Sequence, residues 1–421
     1  MSRRPVVHQF TAVLADRDAL GQHTLAVDDL LRDMGADTMI YAAHVHPEVK
    51  DRGRDFRRHE DDPAPDLIVY QTSIGSPVAE YVLGRREPLV LNYHNMTPAS
   101  FFDPWEPHVA AELDDGRRQL VRLCRRARAA IAVSEYNANE LRDLGLDSVA
   151  VAPVLFSALS AHGGADPHTV VSARGGADPH TVVSGRGGAD PHTVVSGRGG
   201  ADPHTVSGSG SEVGDGSGSG SEVGDVPGSA HAATATHAAT MLFVGRLAPN
   251  KCQQDLVGVL AGVVALGVDA RLVLVGGVSS SGFVESVVGL ADRLGVGDRL
   301  VVAGSVSEAE LVGWYSVADV FVSVSEHEGF CVPVVEAMGF GVPVVAFGAA
   351  AVPETVGGAG VVLGEKSVGV VAEAVVRVLS DGVVREGLVE RGRVRAAALG
   401  PPVSTERMRA VLQPLLDEAT S

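Results

Sequence analysis

The sequence contains few cysteines and few aromatic residues, has no excess of positive charge, and lacks any long hydrophobic run. Its three cysteines, Cys124, Cys252 and Cys331, form neither a disulfide framework nor a CxxC metal-binding pair, which favours a reducing cytoplasm. The formal net charge of −18 argues against a nucleic-acid-binding protein, because binding to phosphates needs a basic surface. No apolar run reaches the roughly 18 residues of a membrane-spanning helix, and the first residues do not resemble a signal peptide.

Residues 1–156 combine short apolar runs with segments of helical spacing, which predict a helix over Gly21–Met34. Apolar runs predict strands at Val6–Phe10, Thr38–Ala43, Leu67–Tyr70, Leu89–Tyr93 and Ile131–Val133. Because each run is apolar throughout instead of alternating, both faces of these strands should be covered. Strands that alternate with helices predict a parallel, doubly wound α/β sheet.

Residues 157–239 have a different composition, rich in Gly, Ser, Ala, Asp, His and Thr. A near-exact repeat, GGADPHTVVS, begins at Gly163, Gly175, Gly187 and Gly199. A stacked solenoid is one interpretation, but each unit offers only two valines for burial, too little to offset the entropy of ordering. We therefore predict a disordered linker. The histidines of the repeat are a weaker candidate for metal binding, because no unit holds a preformed set of ligands.

Residues 240–400 return to alternating strands and helices. The predicted strands are Leu242–Val244, Leu272–Val275, Val301–Ala303, Val320–Val324, Val344–Phe347 and Val361–Leu363. Ser307 and Glu310 have the spacing of a capping box and predict the start of a helix. Residues 401–421 have apolar side chains at helical spacing, which predicts a helix that packs one stripe against a neighbour.

The strongest chemical signal follows the fourth strand of this second group. Two carboxylates, Glu328 and Glu336, are separated by seven residues, with Glu328 expected in a loop and Glu336 about one turn inside the next helix. Both would then lie at the carboxyl edge of a parallel sheet, where ligands of such folds bind. The amides of Phe330, Cys331 and Val332 at the helix start would face an anion such as a diphosphate. As an isolated pair, the glutamates would more often be a helix cap and a surface residue.

The run from Ser325 to Met338 resembles the E-x7-E signature of glycosyltransferase family 4. Further matching segments are Gly339–Val345, Pro353-Glu354 and Gly358–Gly360. The resemblance implies the GT-B architecture, in which two Rossmann-like domains face a cleft. Residues 1–156 would bind the acceptor and residues 240–400 the nucleotide-sugar donor, while the helix in 401–421 would cross back to the first domain.

Arg246 and Lys251, in the segment FVGRLAPNK, resemble the family's strand-to-helix turn, whose Arg and Lys hold the donor diphosphate. Two cations five residues apart can converge on a diphosphate without a metal. Outside this context, the two would more often be surface charges. The resemblance therefore implies a donor site without a metal or a cofactor, formed by Arg246, Lys251, Glu328, Gly329, Phe330, Cys331, Val332 and Glu336.

The N-terminal half resembles the family more weakly. His94, in the segment NYHNMTP after a predicted strand, corresponds to a family histidine that faces the transferred sugar, and a neutral imidazole can donate to or accept from a hydroxyl. A lone histidine after a strand is more often a turn residue. Gly21 and Gln22 stand where the family often has two glycines, at the acceptor loop, and Gln22 puts the close approach of the backbone there in doubt.

The resemblance implies a retaining hexosyltransferase that uses a nucleotide-diphosphate sugar and a glycan, lipid or small-molecule acceptor, with Glu328, His94, Arg246 and Lys251 as catalytic residues. Two alternatives stay open. One is an epimerase of the same fold that acts on the nucleotide sugar without an acceptor, and the other is a catalytically silent binding or scaffold homologue. The arginines of the segment 117–128 favour either peripheral contact with the inner face of the membrane or an amphipathic helix packed on the sheet.

Overall fold

The structure is a computed structural model that describes residues 3–16, 18–156 and 238–419. The predicted linker, 157–239, lies outside the described residues except for its last two positions. Ala239 already begins a strand, one residue before the predicted start of the C-terminal domain.

The first sheet consists of seven parallel strands in the order β3-β2-β1-β4-β5-β6-β7. Their bounds are β1 Val6–Leu14, β2 Asp37–Val45, β3 Gly53–Asp55, β4 Leu67–Thr72, β5 Leu89–Tyr93, β6 Ala129–Ala132 and β7 Val149–Val151. The sequence pattern missed β3 and β7, because Gly-Arg-Asp in β3 has no apolar residue and the short Val-Ala-Val of β7 gives little apolar signal. The predicted strand Ile131–Val133 begins two residues too late, because the small alanines of β6 give little apolar signal.

The second sheet consists of six parallel strands in the order β10-β9-β8-β11-β12-β13. Their bounds are β8 Ala239–Val244, β9 Ala270–Val275, β10 Leu300–Gly304, β11 Val320–Ser323, β12 Val344–Phe347 and β13 Val361–Leu363. Both sheets have the strand order of a doubly wound fold, with helices on both faces. The predicted architecture of two Rossmann-like halves is therefore confirmed.

Helices connect the strands and cover both sheets. The α-helices of the first half are Ala19–Asp33, Pro77–Leu83, Pro107–Arg126 and Glu135–Asp143. Those of the second half are Gln253–Ala265, Ser281–Arg293, Glu308–Val317, Val332–Gly339, Val352–Val356, Val368–Ser380, Gly382–Leu399 and Pro401–Ala419. The capping box of Ser307 and Glu310 is present, with both reciprocal hydrogen bonds. No helix within the described ranges is long and apolar enough to cross a membrane.

The last helix, Pro401–Ala419, packs against the first sheet instead of the second. Its buried residues Met408 and Leu412 belong to the same hydrophobic cluster as Val7 on β1 and Leu67 on β4. Burial of these apolar side chains attaches the last helix to the N-terminal half.

The two halves also meet near the carboxyl ends of their strands. Trp105 packs edge-on against Phe283, with 5.3 Å between ring centroids. Beside this aromatic pair, the hydroxyl of Ser279 donates a hydrogen bond to the carboxylate of Glu106. An apolar cluster that includes Val133 and Phe330 joins the halves at a second place. Residues of both halves therefore border one cleft.

Candidate functional site

Arg246 and Lys251 lie in the turn that follows β8. Gly245 adopts a φ of 153°, which allows the chain to turn sharply at the end of the strand. The carbonyl of Arg246 accepts a hydrogen bond from the side chain of Gln253, 3.0 Å away, so the turn is fastened to the helix Gln253–Ala265. The guanidinium of Arg246 is exposed, and Lys251 ends a short 3-10 turn. Both cations are thus placed on loops at the carboxyl edge of the second sheet.

Glu328 lies in the loop between β11 and the helix Val332–Gly339, as expected. Its carboxylate forms an ion pair with the ammonium of Lys251, 2.7 Å away, and the two side chains are only 11% and 19% exposed. A pair with such low exposure is screened less than a surface pair. The structure therefore brings together two of the predicted site residues that are 77 positions apart in the sequence.

Asn250 fastens the two loops that carry this pair. Its carbonyl accepts a hydrogen bond from the amide of Glu326 at 3.0 Å, and its side-chain amide donates to the carbonyl of His327 at 3.3 Å. Asn250 is only 4% exposed, so these bonds are shielded from water. Nothing in the sequence pattern indicated this role, since an asparagine beside a lysine is ordinary in a turn.

Lys366 adds a second brace on the same loops. Its ammonium pairs with Asp255 at 2.7 Å and with Glu326, and it lies 3.5 Å from the sulfur of Cys252. Within the described residues, Cys252, Asp255 and Glu326 are close enough to one another to hold a metal ion. The ammonium already lies between the two carboxylates, so a cation of the protein itself satisfies this cluster.

At Gly329 the two halves lie in close contact at the site. A Cβ atom at this position would lie 2.5 Å from the carbonyl oxygen of His94, which no real Cβ tolerates. The carbonyl of Gly329 accepts a hydrogen bond from the side chain of Asn137 at 3.0 Å. Glycine is therefore required here by space, and it places the loop of Glu328 directly against the His94 segment.

Phe330, Cys331 and Val332 lead from this loop into the helix. Phe330 is buried in the apolar cluster shared with the first half, so its side chain serves the contact between the halves. Cys331 has a φ of 67°, in the left-handed region that non-glycine residues rarely adopt, and it directly precedes Val332, the first residue of the helix. Burial raises the pKa of the Cys331 thiol, which stays protonated.

Glu336 lies in the helix, one turn from its start, with its side chain turned into the protein. Its carboxylate accepts a hydrogen bond from the hydroxyl of Tyr315 at 2.7 Å. Burial raises the pKa of Glu336 to about 7, and the Tyr315 bond opposes this shift only partly. The sequence did not reveal Tyr315, because nothing in its local pattern separates it from a core aromatic residue.

His94 follows β5 and is half-buried. Its Nε2 lies 2.9 Å from the side-chain oxygen of Gln71, and its ring meets that of His23 at 4.6 Å in an edge-on contact. Burial lowers the pKa of His94 to about 3, so the ring is neutral at physiological pH. The adjacent Asn95 has a φ of 90° and is 8% exposed, and neither of its buried side-chain polar atoms has a partner among the described residues.

Gly21 and Gln22 lie in the first turn of the helix Ala19–Asp33. A Cβ on Gly21 would lie 1.6 Å from the carbonyl oxygen of Ala15, so the close approach that glycine permits here is to the chain's own backbone. Gln22 is half-buried and continues the helix.

Asp18 caps this helix by accepting a hydrogen bond from the amide of Gly21 at 2.7 Å. Desolvation raises the pKa of Asp18, while the hydrogen bond from Gly21 and the positive charge of Arg246 lower it. Arg246 is therefore close enough to this loop to act on it electrostatically.

The arginines of the segment 117–128 are mostly paired within the protein. The hydrogen bonds and ion pairs are Arg117 with Glu140, Arg118 with Asp115, Arg122 with Glu80, Arg126 with the carbonyls of Arg85 and Glu87, and Arg128 with Glu418. These partners offset much of the positive charge that a membrane surface would attract. Membrane contact stays a prediction, with less charge to support it than the sequence alone indicated.

Each half of the chain matches a known protein-family model. The family model described as Glycosyl transferases group 1 matches residues 231–395, and the model described as Glycosyltransferase Family 4 matches residues 43–154. Together the two ranges cover more than half of the chain.

Similar curated proteins match over a limited part of the chain. A D-inositol 3-phosphate glycosyltransferase 2 from Catenulispora acidiphila is 36% identical over 106 residues, which is 24% of this chain and 25% of that protein. A D-inositol 3-phosphate glycosyltransferase from Mycolicibacterium smegmatis is 34% identical over 104 residues, or 24% of this chain and 23% of that protein. The chain thus aligns with about a quarter of the length of these relatives.

Solved structures match over nearly the whole fold. Sucrose-phosphate synthase from Thermosynechococcus elongatus superposes with a TM-score of 0.68 at 14% identity, over 99% of this chain and 100% of that chain. Anabaena HepE in complex with UDP-glucose also gives 0.68, at 15% identity, over 98% of this chain and 100% of the other. At such low identity the likeness establishes the GT-B fold.

Proposed function

Since this chain belongs to the glycosyltransferases of the group 1 and family 4 type, we propose that it moves a hexose from a nucleotide-diphosphate sugar to a hydroxyl acceptor, with retention of anomeric configuration and without a metal. The observation that carries this proposal is the half-buried ion pair of Lys251 and Glu328, on a loop that packs against the His94 segment of the other half. It brings a cation for phosphate and a carboxylate against the segment that carries His94.

Arg246 and Lys251 bind the donor diphosphate in this proposal. The leaving nucleotide gains negative charge as its bond to the sugar breaks, and two positioned cations stabilise that charge most in the transition state. Lys251 donates up to three hydrogen bonds, so it can keep Glu328 while it also contacts a phosphate oxygen. A protein cation thereby fulfils the role that a divalent metal has in other transferases.

Glu328 contacts the transferred sugar. It lies beside Gly329, which packs against the His94 segment of the other half, so a sugar bound next to this contact can touch both halves. A carboxylate can accept from a sugar hydroxyl and also offset positive charge that develops on the ring. The acceptor hydroxyl attacks from the side that the diphosphate leaves, and a phosphate oxygen of the leaving group takes its proton.

Glu336 is assigned to the ribose of the nucleotide. Its carboxylate is held by Tyr315 through one oxygen, which leaves the second oxygen for a further hydrogen bond. Burial of Glu336 raises its pKa, so the folded protein loses stability when this carboxyl group ionises. Groups with such raised pKa values are common in binding sites.

The donor and acceptor are proposed by class. Anabaena HepE is a fold neighbour that was solved with UDP-glucose, so a UDP-hexose is the first donor to test. The curated relatives are D-inositol 3-phosphate glycosyltransferases, which supports inositol 3-phosphate as the first member of an acceptor panel that also contains glycans and lipids.

A ligand-induced thermal shift with a set of nucleotide sugars tests donor binding, because a ligand that binds the folded state raises the midpoint. Transfer is then measured in the presence of EDTA, and the anomeric configuration of the product is read by NMR. Retention and resistance to EDTA are expected. Inversion, or loss of activity that Mg²⁺ restores, would contradict the mechanism, and turnover of the nucleotide sugar without any acceptor would favour the epimerase.

A further inference from the structure

The first sheet buries a row of uncharged polar side chains between its central strands. Gln9 on β1 and Gln71 on β4 are 0% and 1% exposed, and the strands are neighbours in the sheet. A buried amide costs free energy unless its donors and acceptors find partners, so the direction of each hydrogen bond here has consequences.

A main-chain carbonyl at one end of this row determines the orientation of its side-chain amides. Gln9 Nε2 lies 3.3 Å from the carbonyl oxygen of Thr24, which can only accept, so the amide nitrogen of Gln9 must face it. The oxygen of Gln9 then faces Gln71, and it accepts from the amide nitrogen of Gln71 at 2.8 Å. This leaves the oxygen of Gln71 at the far end of the row. Reversing either amide would bring two acceptors or two donors into contact.

His94 lies at that far end. The oxygen of Gln71 is 2.9 Å from Nε2 of His94, so this nitrogen must carry the proton, and Nδ1 must be the unprotonated acceptor of the neutral ring. Within the described residues, Nδ1 forms no hydrogen bond. We infer that Gln71, held by Gln9, is a positioning residue that fixes the tautomer of His94 and presents Nδ1 as an acceptor for a hydroxyl of the bound sugar.

The neighbouring histidine is fixed by the same logic and does not oppose this arrangement. Nδ1 of His23 accepts from the amide of Leu155 at 2.9 Å, so its proton must lie on Nε2. Nε2 of His23 lies 2.8 Å from the side-chain amide of Asn92, whose oxygen must therefore face it. His23 is the titratable group that faces the His94 ring, and it too is neutral.

The inference deepens the proposed function and rests on it only for the identity of the ligand. A site that presents an acceptor takes a hydroxyl that donates, and it discriminates against a sugar in which that hydroxyl is replaced by fluorine, which cannot donate. The tautomer itself is a property of the protein without substrate, so it can be tested independently of any activity.

The test is a long-range ¹H–¹⁵N NMR spectrum of the full chain labelled at histidine nitrogens, with the His94 signals assigned by their absence in His94→Phe. In the wild type, Nε2 should show the shift of a protonated nitrogen and Nδ1 that of an unprotonated one. A protonated Nδ1, or two averaged shifts, would overturn the inference.

Gln9→Met is the informative variant, because Gln9 does not touch His94. Without Gln9, the Gln71 amide is free to rotate, and the two His94 shifts should move toward each other. Gln9→Glu should restore the wild-type shifts, because a buried carboxyl group stays protonated, its OH can donate to the carbonyl of Thr24, and its other oxygen still accepts from Gln71. Thr11→Val is the matched control: Thr11 is also buried on β1, its hydroxyl donates to the carbonyl of Val13, and its replacement should leave His94 unchanged.

Kinetics completes the test. Gln9→Met should lower kcat/KM about 3- to 10-fold, while Gln9→Glu and Thr11→Val stay near wild type. Unchanged shifts in folded Gln9→Met would overturn the relay. If Gln9→Met does not fold, Gln71→Met is measured instead, and unchanged shifts there have the same meaning. Shifts that move as expected in a protein without transferase activity would leave the tautomer assignment intact and contradict the proposed function alone.

Discussion

The two sheet edges that border the cleft are built from opposite kinds of polar group. At the edge of the second sheet the groups are charged, as in the Lys251–Glu328 pair and the cluster around Lys366. At the edge of the first sheet they are neutral amides and imidazoles, as in Gln71, His94 and His23. A charged diphosphate needs counter-charges on loops, whereas a neutral sugar hydroxyl needs a fixed hydrogen-bond direction.

This difference also determines how each half tolerates burial. Neutral amides can be buried almost completely when every donor and acceptor is paired, as at Gln9 and Gln71. Charges buried to the same extent would cost several kcal/mol each, so the second half keeps them paired and partly exposed. The predictions below test this division, from the largest expected effect to the smallest.

Removing a cation from the second half should have the largest effect. Arg246→Ala and Lys251→Ala should each lower kcat/KM for the donor roughly 30- to 1000-fold. This corresponds to a loss of about 2–4 kcal/mol of transition-state stabilisation. Arg391→Ala, at an exposed helix position, is the matched control and should change little. Steady-state kinetics on folded protein measures this, and an unchanged kcat/KM in either variant would remove the diphosphate assignment.

The two glutamates should respond differently. Glu328→Gln should lower kcat about 100-fold, roughly 3 kcal/mol, because the carboxylate acts on the reacting sugar and also orients Lys251. Glu336→Gln should mainly raise the donor KM, because the ribose does not react. Wild-type kcat in Glu328→Gln would reject its role, and a loss of kcat in Glu336→Gln with unchanged KM would reject the ribose assignment.

Glu336→Gln should also change the pH dependence of stability. The folded pKa of Glu336 is about 7 against an ordinary value of 4.5, so the unfolded state ionises first and the wild type loses stability as pH rises between these values. A glutamine does not ionise and keeps the Tyr315 bond. The variant should therefore gain up to about 3 kcal/mol relative to wild type at pH 8, and little at pH 4.5. Melting curves at both pH values measure this, and an equal difference at both would contradict the raised pKa.

Gly329→Ala tests the contact between the two edges. The added methyl group collides with the carbonyl of His94, so the loop must shift, at a cost of about 1–3 kcal/mol in stability. Activity should fall because Glu328 moves with the loop. Gly364→Ala is the control, since a Cβ there meets nothing within 4 Å and its φ is ordinary. Equal behaviour of the two variants would show that the close approach has no role.

Shortening the repeat segment should have the smallest effect. Replacing residues 158–237 by a short Gly/Ser connection should keep folding and transfer, since the repeats contain little apolar material. The cut must retain Leu155, whose amide bonds to His23, and Phe156, which belongs to the cluster between the halves. A folded, shortened protein without activity would show that the repeats have a function of their own.

The sequence predicted the long apolar strands and the loops that follow them, because burial on both faces leaves continuous runs such as Leu89–Tyr93 and Val344–Phe347, which the structure reproduces residue for residue. It missed β3, whose Gly-Arg-Asp has no apolar residue, and β7, whose Val-Ala-Val gives only a weak apolar signal, although it found β13, a three-residue edge strand of sequence Val-Val-Leu. The candidate site residues were found because glycines, charges and a histidine directly follow strands.

What the sequence alone determined is therefore the fold class, the family resemblance and the loops on which chemistry is placed, since all three follow from local patterns. Only the tertiary structure decided the partners. Lys251 meets Glu328, Tyr315 meets Glu336, and Gln9 acts on His94 through Gln71, although tens of residues separate each pair in the chain. Hydrogen-bond direction and carboxylate burial depend on which strands and loops pack together, and no local pattern records that packing.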